Sequence, residues 1–128
     1  MRNYPLNSTP ATHYTTAIAA NGGTETETFP GLRADGLGSI KTVRIKSKEN
    51  LEWQVEILND DSEILYAHRF ATTDATTIGG IRYYTASVDW LIPSLGIAGV
   101  IVGIRNMSGT AKTAGTNGAL TLTLIIEK

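Results

Sequence analysis

Apolar and polar residues alternate along most of the chain, and this period-two pattern predicts β-strands. The clearest segment is "LEWQVEIL", residues 51–58, in which every second residue from Leu51 to Ile57 is apolar and the others are polar. That pattern is typical of a half-buried antiparallel strand and predicts that Trp53 lies in the core. A polar turn over residues 59–62 and the segment "EILYAHRF" complete a predicted hairpin.

Six further segments have the sequence character of strands. They are "HYTTAIAA", "TETETF", "SIKTVRIKSK", "IRYYTASVDWLI", "GVIVGIRN" and "ALTLTLIIEK". In "TETETF" threonine alternates with glutamate, so we expect an exposed or edge strand whose charge deters pairing with another chain. The threonine- and glycine-rich stretches "ATTDATTIGG" and "MSGTAKTAGTNG" are predicted to be connections between strands.

These segments predict the fold class and the domain organisation. No window shows a 3.6-residue apolar period, and about eight strands separated by turns predict an all-β, two-sheet antiparallel sandwich, which we expect to be a jelly roll. Residues 13–128 form the single predicted domain, which is long enough for one core. Residues 1–12 contain two prolines among small polar residues and show no apolar period. We expect them to form either a disordered tail or, as we predict, an extended N-terminal arm that becomes ordered on a partner.

Composition narrows the possible functions. Charged residues make up 18% of the chain and the net charge is -1, which gives no overall field to attract nucleic acid or an anionic membrane. No apolar run is long enough for a membrane span. The chain has no cysteine, which excludes disulfides, thiolate nucleophiles and Cys-ligated metal sites. The N-terminus lacks the apolar centre of a signal peptide, so we expect synthesis in a cytoplasm without secretion.

The residues able to carry catalysis or to bind metal are few and unfavourably spaced. His13 and His68 lack a third ligand at a recognisable spacing. Asp60 and Asp61 fit the chemistry of a hairpin turn, and their spacing matches no calcium-binding loop. Asp89 is the acid in the most unusual setting, and the glycine-rich stretches lack the lysine of a phosphate loop. We therefore expect no enzyme, no catalytic residue, no cofactor and no metal.

The best candidate for a partner-binding surface within the domain is "RYYTASVDW", residues 82–90. Tyr83 and Tyr84 point to opposite faces of the predicted strand, so one of the two rings is expected to be exposed. Arg82 beside them offers a guanidinium group suited to a carboxylate or a partner's backbone. In the arm, the predicted partner contacts are Tyr4, Pro5, Leu6 and Pro10.

The C-terminal segment "GVIVGIRNMSGTAKTAGTNGALTLTLIIEK" resembles the final strand pair of phage jelly-roll virion proteins, over about a quarter of the chain. In that family an apolar strand ending in Arg-Asn-x-Ser leads through a Gly/Thr turn into an alternating strand. The resemblance implies a non-enzymatic structural protein of the virus particle, such as a capsid decoration, auxiliary or tail-associated protein. Its implied partners are the major capsid or tail protein and further copies of the chain, for instance in a trimer. The implied location is the virion.

A carbohydrate-binding or lectin-like sandwich is the alternative. It would use Tyr83, Tyr84 or Trp90 as an aromatic platform for a sugar ring and would work as a monomer. A subunit of some other assembly also fits the sequence. The virion protein should instead oligomerise through apolar or Thr-rich surfaces and depend on residues 1–12 for attachment.

Overall fold

The computed structural model describes residues 11–29, 39–59, 61–91, 100–115 and 118–127. Within these ranges the chain forms nine strands and one short 3-10 helix at Thr72–Asp74. The strands are β1 (Ala11–Tyr14), β2 (Gly23–Phe29), β3 (Ser39–Ser47), β4 (Trp53–Leu58), β5 (Ile64–Phe70), β6 (Ala75–Ile78), β7 (Ile81–Leu91), β8 (Val100–Asn106) and β9 (Leu120–Glu127). No helix in this part of the chain has the length and apolar character needed to cross a membrane.

The strands form two antiparallel sheets that pack face to face. One sheet has five strands in the order β1-β9-β3-β7-β6, and the other has four in the order β2-β8-β4-β5. The pairs β1–β9, β2–β8, β3–β7 and β4–β5 are nested in the sequence, so the chain is folded back on itself like one long hairpin. A long hairpin rolled into two sheets is a jelly roll. The predicted all-β, two-sheet sandwich is confirmed.

The core lies between the inner faces of the two sheets. Its buried side chains on the strands include Ile40, Val43, Ile45, Trp53, Val55, Ile57, Phe70, Tyr84, Trp90, Val102, Ile104, Leu120, Leu122 and Leu124. Two aromatic contacts join the sheets, with ring centroids 5.8 Å apart for Phe70 and Tyr84 and 5.7 Å apart for Tyr66 and Trp90. The prediction that Trp53 lies in the core is confirmed, since its exposed fraction is 0%.

The C-terminal strand β9 lies inside its sheet, between β1 and β3. Its alternate residues from Leu120 to Ile126 are buried, in agreement with the alternation in the sequence. Each fully buried leucine or isoleucine contributes about 1.5–3 kcal/mol relative to an exposed one. The final strand is therefore an integral part of the core, which explains why strand-like sequence continues almost to the last residue.

Two local predictions are wrong. The segment "ATTDATTIGG" was expected to be a connection, but it contains β6, which pairs with β7 from Ala75↔Tyr84 to Ile78↔Ile81. Four residues are too few to show a periodic apolar pattern. In "HYTTAIAA" only the start belongs to a strand: β1 ends at Tyr14, and Ile18 forms an isolated bridge with Lys112.

The boundary predicted for the N-terminal arm differs from the start of β1. Ala11 and Thr12 pair with Thr123 and Leu122 of β9, so they belong to the sandwich. Residues 1–10, with the predicted contacts Tyr4, Pro5, Leu6 and Pro10, lie outside the described residues.

Candidate functional site

The predicted surface around residues 82–90 is divided between the two faces of β7. Tyr84 is fully buried, and its hydroxyl donates a 2.8 Å hydrogen bond to the Leu51 carbonyl. Burial also raises the pKa of the Tyr84 phenol above its ordinary value. Tyr83 is half-buried on the outer face, and Arg82 donates through Nη1 to the Lys48 carbonyl at 2.9 Å. Of the three predicted residues, only Tyr83 offers an outward-facing ring.

The aromatic platform expected for a sugar-binding protein is not assembled on the surface. Trp90 is 9% exposed and stacks on Tyr66, with an interplanar angle of 12°. Tyr84 is 0% exposed. Because both rings pack in the core, they cannot offer a face to a sugar, and Tyr83 is the one remaining member of the predicted platform.

The outer face of the five-stranded sheet consists of exposed and half-buried residues whose positions follow from the strand pairing. Directly paired residues of neighbouring strands share a face, so the partners of buried residues point inward and the intervening residues point outward. One outward row consists of His13, Thr121, Lys46, Tyr83 and Thr76. The next consists of Ala11, Thr123, Arg44 and Thr85, and a third of Ile125, Thr42 and Ser87. We call these three rows the cationic face.

The charge on the cationic face has one sign. Arg44 and Lys46 are exposed, lie two residues apart on the central strand β3, and make no ion pair with any described residue. The three rows contain no carboxylate. Threonine hydroxyls surround the two cations, and His13 Nδ1 lies 2.9 Å from the Thr121 Oγ1 atom in the same row. This surface can accept carboxylates through its cations and hydrogen bonds through its hydroxyls.

The outer face of the four-stranded sheet carries two ion pairs. The Glu56 carboxylate is 1% exposed and binds Arg105 through two hydrogen bonds, of 2.7 Å from Nε and 3.2 Å from Nη2. These hydrogen bonds raise the pKa of the Arg105 guanidinium. Gly103 lies beside Glu56, and the missing side chain leaves room for the carboxylate and for Leu58 above the strand. Arg69 pairs with Glu52 at 2.6 Å on the same sheet.

One end of the sandwich is held together by a buried lysine. Lys112 is 1% exposed, and its Nζ donates to the carbonyls of Thr16 and Thr113 at 2.7 and 3.0 Å. Its backbone pairs with that of Ile18 in both directions. Burial lowers the pKa of Lys112, because the charged ammonium loses hydration. The cation joins the connection after β1 to the connection after β8.

The remaining candidates have ordinary structural environments. His68 lies on β5 with its ring 4.6 Å from that of Phe70, and His13 is on the cationic face. Asp89 pairs with Lys41 at 2.7 Å, and the backbone N–H of Asp61 donates to Asn59 Oδ1 in the hairpin turn. Asp60 lies outside the described residues. Across the described ranges, no group of three His, Asp or Glu side chains is arranged to hold a metal ion.

No family model and no curated protein matches the chain.

The sequence contains a local signal for the cationic face that the strand patterns alone did not single out. Arg44 and Lys46 alternate with Val43 and Ile45 in "TVRIKS", so they share one face of a strand. Their isolation from carboxylates depends on which strands lie beside β3. The neighbours β7 and β9 come from distant parts of the chain and contribute uncharged residues to these rows. Topology, which the sequence pattern does not specify, therefore decides the charge of this surface.

Proposed function

We propose that this chain is a non-enzymatic structural protein of a virus particle, a capsid decoration or auxiliary protein that attaches to a neighbouring capsid or tail subunit. The cationic face is the observation that carries the proposal. Its three rows are rich in hydroxyls and free of carboxylates, and Arg44 and Lys46 have no described ion-pair partner. Such a surface complements an acidic surface on another protein.

Two further features support the virus setting. The strand order is that of a jelly roll, an architecture that viral capsid domains use. The strand pair β8–β9 and its connection carry the resemblance to phage virion proteins. The arm before β1 is the second attachment element in this proposal, because its sequence has little apolar surface with which to fold alone.

Binding to particles that lack the chain tests the proposal. Gene deletion in the virus that encodes the chain provides these particles, and purified protein is added back and co-sedimented with them. The double variant Arg44→Thr/Lys46→Thr removes both exposed cations while keeping strand-forming residues. We expect its affinity for the particles to fall about tenfold, since each lost ion pair contributes up to about 1 kcal/mol.

The matched control is Thr24→Glu/Thr26→Glu, which also lowers the net charge by two. Both residues are exposed on β2, in the other sheet. This control should bind like the wild type. Deletion of residues 1–10, which leaves β1 intact, should weaken binding independently of the cationic face. If the wild type does not co-sediment, the proposed function is wrong; if the two double variants bind alike, the cationic face is not the docking surface.

A further inference from the structure

We infer that two copies of this chain associate by antiparallel pairing of their β6 strands across a two-fold axis at Thr77. The starting observation is that β6 is the last strand of the five-stranded sheet. One side of its backbone pairs with β7, and the other side faces no described strand. Unpaired N–H and C=O groups on an edge strand are a template for another strand.

The four edge strands of the described sheets differ in how they resist such pairing. β2 carries Glu25 and Glu27 on the face of the core residues Ile104 and Val102, and inward-facing charges on an edge strand deter pairing. β5 carries Arg69 and has a register shift in its pairing with β4. β1 has only four residues, with His13 on its outer face.

β6 is as short as β1, with four residues, but it carries no charged side chain and its pairing with β7 has no register shift. Its sequence, Ala-Thr-Thr-Ile, contains no charge and no proline, and threonine and isoleucine favour strands. Thr76, Thr77 and Ile78 are exposed. Ile78 is 63% exposed, more than the other exposed large hydrophobic residues, Ile64 and Leu65. An uncharged edge with an exposed isoleucine favours burial against another strand.

The partner that fits this edge is a second copy of the chain. In antiparallel pairing about a two-fold axis, directly opposed residues must lie on the same face of the joined sheet. An axis at Thr77 places each Ile78 opposite Thr76 of the other copy. On the outer face, Ile78 then lies between Ile81 of its own β7 and Thr76 of the other copy. An axis at Thr76 would instead oppose Ile78 and Asp74. An axis at Ile78 would oppose Thr76 and Thr77 to the Gly79–Gly80 turn and leave only one residue pair within the strands, so Thr77 is the favoured axis.

Self-pairing in this register brings no like charges together within the strands. The joined sheet would have ten strands, and the cationic faces of the two copies would lie side by side. This contact closes at two copies, because an isologous interface uses the same edge on both partners. It is a dimer contact and would not by itself produce the trimer expected from the sequence. Four residues per strand make a small interface, so we expect a weak, concentration-dependent dimer.

Charge substitutions at the proposed axis test the inference. Thr77→Glu or Thr77→Lys places identical charges opposite each other, so each variant alone should have a dissociation constant at least about fivefold above the wild type. An equal mixture of the two variants should recover dimer formation, because each mixed pair has opposite charges. Sedimentation velocity over a concentration series gives the dissociation constants of the wild type, of each variant and of the mixture, all as full chains. The matched charge control is Thr110→Glu, at an exposed residue in the connection after β8.

The outcomes are distinguishable from those of the particle-binding experiment, since this one uses the purified chain alone. A wild type that stays monomeric at its highest soluble concentration overturns the inference, as does a discrete trimer. Dimers that persist in both single variants, or a mixture that stays monomeric, also overturn it. If either charge at Thr77 prevents folding, Ile78→Lys repeats the test at the neighbouring exposed position, where the two lysines would be diagonal neighbours.

Discussion

Tyr84 and Leu51 are joined across the sandwich by a hydrogen bond of 2.8 Å from the phenol to the backbone carbonyl. Tyr84 belongs to β7 of the five-stranded sheet, whereas Leu51 leads into β4 of the four-stranded sheet. Both residues are buried. The bond therefore satisfies a carbonyl that water cannot reach and fixes the position of one sheet relative to the other.

Replacing Tyr84 with phenylalanine should destabilise the fold. The Leu51 carbonyl would lose its donor in a buried environment, which costs about 1–3 kcal/mol of unfolding free energy. Urea denaturation of Tyr84→Phe measures this loss, and Tyr83→Phe is the control because Tyr83 is half-buried on the outer face. Equal stability of the two variants would contradict the role assigned to this hydrogen bond.

Replacing Tyr14 with phenylalanine should have the opposite effect on the free energy of unfolding. The Tyr14 hydroxyl is buried and has no hydrogen-bond partner in the described part of the chain. Removing an unsatisfied buried hydroxyl relieves its desolvation cost, so Tyr14→Phe should raise the unfolding free energy by about 1 kcal/mol. A clear loss of stability in the same urea titration would show that this hydroxyl has a partner.

Alkaline pH should enlarge the advantage of Tyr14→Phe. Burial raises the pKa of Tyr14, and the Glu27 and Glu25 carboxylates raise it further. Above pH 10 the unfolded chain releases this proton while the folded chain keeps it, so wild-type stability falls as the pH rises. The difference in unfolding free energy between variant and wild type should therefore grow above pH 10. A constant difference between pH 8 and 11 would contradict this linkage.

The two ion pairs of the four-stranded sheet should differ in their contribution to stability. Glu56 is buried and binds Arg105 through two hydrogen bonds. Glu56→Gln should therefore lower the free energy of unfolding by about 2 kcal/mol, less than for a fully buried pair because Arg105 is partly exposed to solvent. The pair of Glu52 with Arg69 is more exposed, and Glu52→Gln should cost less than about 1 kcal/mol. Thermal or urea unfolding of both variants gives the comparison, and a larger loss for Glu52→Gln would refute it.

The buried Lys112 should give stability its own dependence on pH. Because burial lowers its pKa, the folded chain releases this proton at a pH where the unfolded chain still holds it. The contribution of Lys112 to the free energy of unfolding should therefore rise with pH until the pH reaches 10.5, the ordinary pKa of a lysine. The wild type should gain stability relative to Lys112→Met across this window. The exposed Lys48→Met is the control, and a parallel gain relative to that variant would contradict the assignment.

The sequence predicted the architecture well because burial imposes alternation on long strands. In β4 the period from Trp53 to Ile57 identified both the strand and its core face, and β9 showed the same pattern. The glutamates of "TETETF" correctly indicated an edge strand, since β2 ends its sheet. In these strands a short sequence pattern is enough, because apolar alternation marks the face that is buried and repeated glutamates mark an edge strand.

Short or topology-dependent features could not be predicted in the same way. β6 lacks an apolar period, although Gly79 and Gly80, both with positive φ, form the two-residue turn that joins it to β7. Such a Gly-Gly pair is a hairpin signal that the sequence contained. Lys112 lies in a segment of small polar residues, and one of the two carbonyls that bind its ammonium group belongs to Thr16, 96 residues away in the sequence.

Binding surfaces were the least predictable feature, because exposure depends on which strand lies opposite. Tyr84 and Trp90 looked like surface aromatics beside polar residues, but both complete the core against the second sheet. Conversely, the cationic face consists of ordinary exposed residues whose arrangement becomes distinctive only after β3 is placed between β7 and β9. The composition of the cationic face therefore follows from the order of strands in the sheet, which the sequence pattern does not specify.

The most direct test of the proposed function is quantitative mass spectrometry of density-banded particles of the virus that encodes the chain. The account predicts that the chain is a regular component, in a fixed ratio to the major capsid or tail protein that persists through repeated banding. It also predicts depletion from particles made with the Arg44→Thr/Lys46→Thr variant, but not with Thr24→Glu/Thr26→Glu. Absence of the wild-type chain from banded particles, with the protein abundant in the lysate, would contradict the proposal that it is a virion structural protein.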